Sequence, residues 1–157
     1  MLKKIKPYAI SILISLGVGG LSALITQGNM DLYGEVKAPP LAPPSILFPI
    51  VWTALYILMG ISAAMIYLGK NTDLKKRSAA LATYASSLVV NFAWSIIFFN
   101  FKAYFFAFIW LLLLLYFIVK TIVQYKEINK AAAYLQIPYA LWVTFAGYLS
   151  FGIWILN

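Results

Sequence analysis

The chain has 157 residues and is 64% hydrophobic and 17% aromatic, yet only 10% charged, against about 25% charged in soluble domains. A water-soluble fold of this size would lack the polar side chains to cover its surface, whereas burial in a membrane removes that demand. The net charge of +8 is dispersed in short basic groups between apolar runs, which is a topology signal and not a nucleic-acid surface, and the absence of cysteine and histidine excludes disulfides, thiolate chemistry, zinc sites and imidazole ligation of haem iron.

Five apolar runs follow one another, over about residues 7–26, 45–68, 79–100, 103–124 and 131–156. Each is about 20 residues or more, enough for a helix to cross a hydrocarbon core of about 30 Å. Runs such as Trp110 to Val119 show no strand alternation, so the predicted fold is all-α: one domain, an integral membrane bundle of five transmembrane helices. The first run follows Lys3, Lys4 and Lys6. A cleaved signal peptide ending near Gly20 and Ser22 is the weaker reading, because further spans follow. On the same run, Ser11, Ser15, Gly19 and Ala23 form a stripe of small residues at i+4 spacing, suited to packing within the bundle or between protomers. Residues 27–44 form a long loop with Pro39, Pro40, Pro43 and Pro44 near its end. Both an extended spacer and a stiff flap over the outer mouth of the bundle fit this composition.

On the second run Trp52 and Tyr56 share a face, and on the fifth Trp142, Ala146 and Ser150 do, with Tyr139 adjacent. Interfacial anchoring and cavity lining are equally compatible with the depth of these tryptophans. The third run carries Ser87, Asn91 and Ser95 at i+4 spacing, with Trp94 near Asn91. A mid-span amide should avoid lipid, and an interhelical hydrogen bond is the simpler role for it. The runs contain no Asp, Glu or Arg, and Lys120 lies near a run's end. Proton-coupled transport and small multidrug export, which need a mid-membrane carboxylate, and hydrolytic or general acid–base catalysis therefore lack their residues. For orientation, Lys3, Lys4, Lys6, Lys70, Lys75, Lys76, Arg77, Lys120, Lys126 and Lys130 group on one side. Of the 12 basic residues only Lys37 and Lys102 remain for the other. The positive-inside rule puts the N-terminus in the cytoplasm and Asn157 outside.

Three segments together resemble the tryptophan-rich sensory protein family, bacterial relatives of the mitochondrial translocator protein or peripheral-type benzodiazepine receptor. They are PPLAPPSILFPIVWTALYILMG (Pro39 to Gly60), NFAWSIIFF (Asn91 to Phe99) and PYALWVTFAGYLSFGIWILN (Pro138 to Asn157). The resemblance covers essentially the whole chain. It implies a five-helix bundle, usually a homodimer, in the bacterial cell membrane, with a pocket open toward the first loop. Its expected ligands are protoporphyrin IX or haem and benzodiazepine- and isoquinoline-type drugs, with no obligatory cofactor or metal. The implied pocket comprises Trp52, Tyr56, Asn91, Trp94, Phe99, Trp142, Ala146 and Ser150, with Tyr33 from the loop. Sterol binding is disfavoured, because Phe151 stands where the family's sterol motif has tyrosine and no Lys or Arg follows Tyr148. The implied function is tetrapyrrole binding in porphyrin handling, transport or stress sensing. The alternative is light- and oxygen-dependent porphyrin degradation with Trp52 and Trp142 as the catalytic pair.

Overall fold

A computed structural model of the chain describes residues 2–26, 37–44, 46–69 and 73–157. Five helices make up most of it: α1 (Leu2–Thr26), α2 (Leu47–Tyr67), α3 (Leu74–Ser95), α4 (Tyr104–Ile128) and α5 (Lys130–Leu156), with no strand among the described residues. All five are long and apolar enough to cross a bilayer.

The helices outrun the apolar segments that announce them. Lys3, Lys6, Lys75, Lys76, Arg77, Lys126 and Glu127 therefore lie in terminal helical turns and not in loops. Polar caps make this extension possible. The Asp73 carboxylate accepts from the Lys75 backbone N–H at 3.0 Å, and the Asn129 side chain accepts from those of Ala131 and Ala132 at 3.0 and 3.3 Å. Each cap satisfies a helix-start N–H that has no partner within its own helix. Asn129 is also the whole connection between α4 and α5. At the same end, the Arg77 guanidinium donates to the carbonyls of Tyr67 and Gly69 at 3.0 and 3.3 Å, placing a cation at the negative end of α2.

Packing runs from α1 to α2, α5, α4 and α3, and more sparsely back to α1, so the helices form a closed ring. Burial is inverted relative to a soluble protein. Leu13, Leu24, Leu112 and Val119 face outward, whereas Ser15, Ser62, Asn91, Thr121 and Gln136 are buried. Acyl chains solvate the outer leucines, and polar groups must find partners among the helices. The Gln136 amide, for example, donates to the Ser62 hydroxyl at 3.3 Å, and that hydroxyl donates to the Ala132 carbonyl at 2.8 Å. The chain is an integral membrane protein.

Of the small-residue stripe of α1, Ser15 and Gly19 pack against α2, whereas Ala23 is exposed. Ser15 Oγ donates to the Tyr56 carbonyl at 2.6 Å, a Cβ on Gly19 would enter the Tyr56 ring, and one on Gly60 would lie 2.5 Å from Ile12 Cα. A cut near Gly20 or Ser22 would thus remove a structural wall. Of the proline-rich loop, residues 37–44 are described, and they are fastened to α5. Pro39 is buried against Gly152, the Tyr148 hydroxyl donates to the Pro40 carbonyl, and the Asn157 side chain bonds both the N–H and the carbonyl of Lys37 at 3.1 and 3.0 Å. Leu41 adopts φ 71° in the turn closed by Ala42 N–H and the Pro39 carbonyl, a position that favours glycine.

Candidate functional site

The half of the bundle away from its basic end is filled by aromatic rings converging from three helices. Trp52 on α2 lies 5.6 Å, centroid to centroid, from Tyr56, 6.3 Å from Trp94 on α3 and 6.2 Å from Tyr139 on α5. Trp94 stacks on Phe98 at 5.0 Å and meets Phe99 edge-on at 6.2 Å. Such offset and edge-on contacts use the ring quadrupoles favourably.

Phe98 and Phe99 reach this cluster through a departure from α-helical geometry. The last turn of α3 continues as a π-helical segment, Ile96–Asn100, in which Phe101 N–H donates to the Ile96 carbonyl five residues back at 3.1 Å. The extra residue in the turn shifts the helix face, so Ile97, Phe98 and Phe99 are all buried in succession. A regular α-helix would turn one of the three toward lipid.

Beside the cluster, between α1, α2 and the end of α3, lies a cavity of about 250 Å³. Gly19, Ala23 and Thr26 of α1 form one wall, Phe48, Trp52 and Tyr56 of α2 a second, and Ser95 and Phe99 the third. Beyond Leu16, the small residues Gly19, Gly20, Ser22 and Ala23 on the α1 wall leave this space open. Polar groups surround it sparingly. The Asn91 amide, fully buried, donates to the Tyr56 hydroxyl at 3.2 Å, and its Oδ1 has no hydrogen-bond partner among the described residues. Trp94 Nε1, behind the Trp52 ring, is likewise buried without a partner there. Leaving such a group unpaired costs roughly 1–3 kcal/mol, so the two together mark a wall able to receive polar atoms of a ligand or water.

The expected site residues divide into three groups. Trp52, Tyr56 and Phe99 line the cavity, and Asn91 and Trp94 back that wall. Trp142 lies to the side, edge-on to Phe48 at 5.8 Å. Ala146 and Ser150 are buried within α5 away from the cavity, where Ser150 Oγ donates to the Ala146 carbonyl at 2.9 Å. Tyr33 lies outside the described residues. Sequence reading overlooked Phe48 and Thr26, and it assigned Gly19 and Ala23 to packing alone. Phe48 had one usable signal, its position one helical turn before Trp52. Among the described residues no group of three metal-ligating side chains occurs.

The chain as a whole is similar to known proteins. The chain is 34% identical to the tryptophan-rich protein TspO of Chlorobaculum tepidum, covering 100% of this chain and 99% of that one. It is 34% identical to the protein of the same name from Archaeoglobus fulgidus over 94% of each. It is 32% identical to the translocator protein of Bos taurus, over 92% of this chain and 85% of the bovine one. The sequence model of the TspO/MBR family matches residues 10–155, and the chain belongs to that family.

Proposed function

We propose that this translocator-type membrane protein binds tetrapyrroles, with protoporphyrin IX as the test ligand, in the space enclosed by Trp52, Tyr56 and Phe99. The observation that carries the reading is an apolar aromatic wall, Phe48, Trp52, Tyr56 and Phe99, backed by the buried Asn91 Oδ1 and Trp94 Nε1, neither with a hydrogen-bond partner among the described residues. A flat macrocycle offers faces for the rings and ring nitrogens for the polar atoms. The cavity of about 250 Å³ is below the roughly 300–1,000 Å³ of drug-sized sites, so a porphyrin enters only as the aromatic wall repacks or α1 moves outward. Isoquinoline- and benzodiazepine-type drugs, being smaller, need less of that opening. Without histidine or cysteine to ligate iron, metal-free porphyrin binds at least as well as haem. The site needs no cofactor, and the protein acts as a homodimer in the bacterial cell membrane with its N-terminus in the cytoplasm.

The test is titration of protoporphyrin IX in the dark into protein held in lipid nanodiscs, followed by tryptophan quenching. Trp52→Ala is expected to weaken binding by about 1–3 kcal/mol at an unchanged melting temperature. Wild-type affinity in that variant would assign Trp52 to membrane anchoring.

A second reading, light-driven oxidation of the porphyrin, is favoured by one specific feature. Trp52 sits within 6.3 Å of Tyr56, Trp94 and Tyr139, so an indole beside the ligand is surrounded by further oxidisable rings. Under light and oxygen Trp52→Phe should retain binding and lose turnover. One defined product from the protein, against the mixture formed in detergent alone, separates this chemistry from bleaching. Undiminished turnover in Trp52→Phe would place the chemistry in the pigment alone.

A further inference from the structure

A second concavity, of about 650 Å³, lies between α1 and α3 with α2 as its floor, and it is separate from the aromatic cavity. Its α1 wall runs from Lys6 to Ile14, whereas the aromatic cavity begins at Leu16. The division falls where α1 is clamped on α2, by the bond from Ser15 Oγ to the Tyr56 carbonyl and the contact of Gly60 with Ile12. The groove exists because α1 follows α2 closely and meets α3 only sparsely. The side chains facing the gap include Ala63, Ala64 and Ala85, which are too small to fill it.

Its chemistry is sharply divided along its length. Ile10, Ile14, Leu81 and Leu88 form an apolar wall, and Lys6 stands at one end. That end of the bundle also carries Lys3, Lys75, Lys76 and Arg77. Because α1 and α3 both span the membrane, the groove opens sideways to lipid at the depth of one leaflet, with its cation at the surface. A cleft of this size in that position must be filled by something apolar, and the cation selects a negatively charged end. A second copy of this chain would bring mainly like charge to that end, 12 basic residues against 4 acidic in all, and its described carboxylates, Asp73 and Glu127, stand beside Lys75, Lys76, Arg77 and Lys126.

We propose that this groove is a binding site for an anionic phospholipid of the surrounding membrane, one acyl chain lying along Ile10, Ile14, Leu81 and Leu88 and the phosphate held at Lys6. This is independent of the tetrapyrrole reading. The test uses full-length protein extracted from membranes and washed stepwise in detergent. Native mass spectrometry then counts retained phosphatidylglycerol and phosphatidylcholine with the same acyl chains. Wild type should hold one phosphatidylglycerol after phosphatidylcholine has washed away. Lys6→Gln should retain it about fivefold less well, the effect of one membrane-surface lysine. Ala85→Phe, which fills the groove from an exposed position on α3, should abolish retention of either lipid. Ser11→Phe fills it from α1 and serves if Ala85→Phe misfolds; a melting curve identifies that case. Equal retention of both lipids, or retention insensitive to Lys6→Gln and the groove-filling variant, would overturn the proposal in favour of ordinary boundary lipid. A lipid-free wild-type dimer that Ala85→Phe converts to monomer would overturn it in favour of a second copy in the groove.

Discussion

Gly60 and Gly147 show how differently two glycines in transmembrane helices are constrained. A Cβ on Gly60 would lie 2.5 Å from Ile12 Cα and 2.8 Å from its backbone nitrogen, so α1 itself has to move. Gly60→Ala is expected to lose about 1–3 kcal/mol, the usual cost of overpacking against a rigid neighbour. At Gly147 the nearest atom would be the Phe108 ring at 3.9 Å, an ordinary contact. Gly147→Ala should be neutral or gain up to about 1 kcal/mol from helix propensity. Thermal unfolding of both variants in the same detergent checks the contrast, and equal melting temperatures would show that α1 is free to slide along α2. Asn91 illustrates what was legible at this scale. A mid-membrane amide announced its need for a partner, but the partner, Tyr56, lies 35 residues away on another helix and no spacing rule points to it.

Helices are the scale at which hydropathy reads best, and all five were recognisable from apolar run length. Their ends were not, because Asp73 and Asn129 cap helices that extend into the basic segments. The π-helical turn was also hidden: IIFFN is apolar apart from its last residue, and nothing in it distinguishes one hydrogen-bond register from another. What selects the π register is the reward of burying Ile97, Phe98 and Phe99 together, which only neighbouring helices supply. Deleting Ile96 should restore α-helical register, rotate Phe99 out of the cavity and weaken porphyrin binding severalfold while the bundle still inserts and melts cooperatively. Unchanged affinity in a correctly folded deletion would mean that the wall tolerates the loss of Phe99.

Across the whole molecule, the basic end of the bundle sets its direction in the membrane. The chain has no native cysteine, so a single introduced thiol reports one position without background. Cysteine at Ala38, on the exposed part of the proline-rich segment, should react with an impermeant reagent added to intact cells, and cysteine at Asn71 should react only after permeabilisation. The reverse pattern would place the aromatic cavity's end of the bundle in the cytoplasm. The closed ring of helices, weakest between α1 and α3, also explains why both concavities lie along that one seam.

Hydropathy and charge are properties of short segments, and they suffice for the membrane class, the number of helices and the grouping of basic residues at one end. They also place Asn91 at a depth where its amide needs a partner, while leaving Trp52 as suited to interfacial anchoring as to cavity lining. Which side chains meet depends on the rotation of each helix about its own axis, and that rotation is set by contacts distant in sequence. Gly19 seats α1 against the Tyr56 ring, Gly60 seats α2 against Ile12, and the π-helical turn shifts the end of α3. Through those contacts Phe99 faces the cavity while Ser150, spaced as well for the purpose, bonds to its own helix instead. No single helix contains the information that separates these two outcomes, because each exists only once its neighbours are in place.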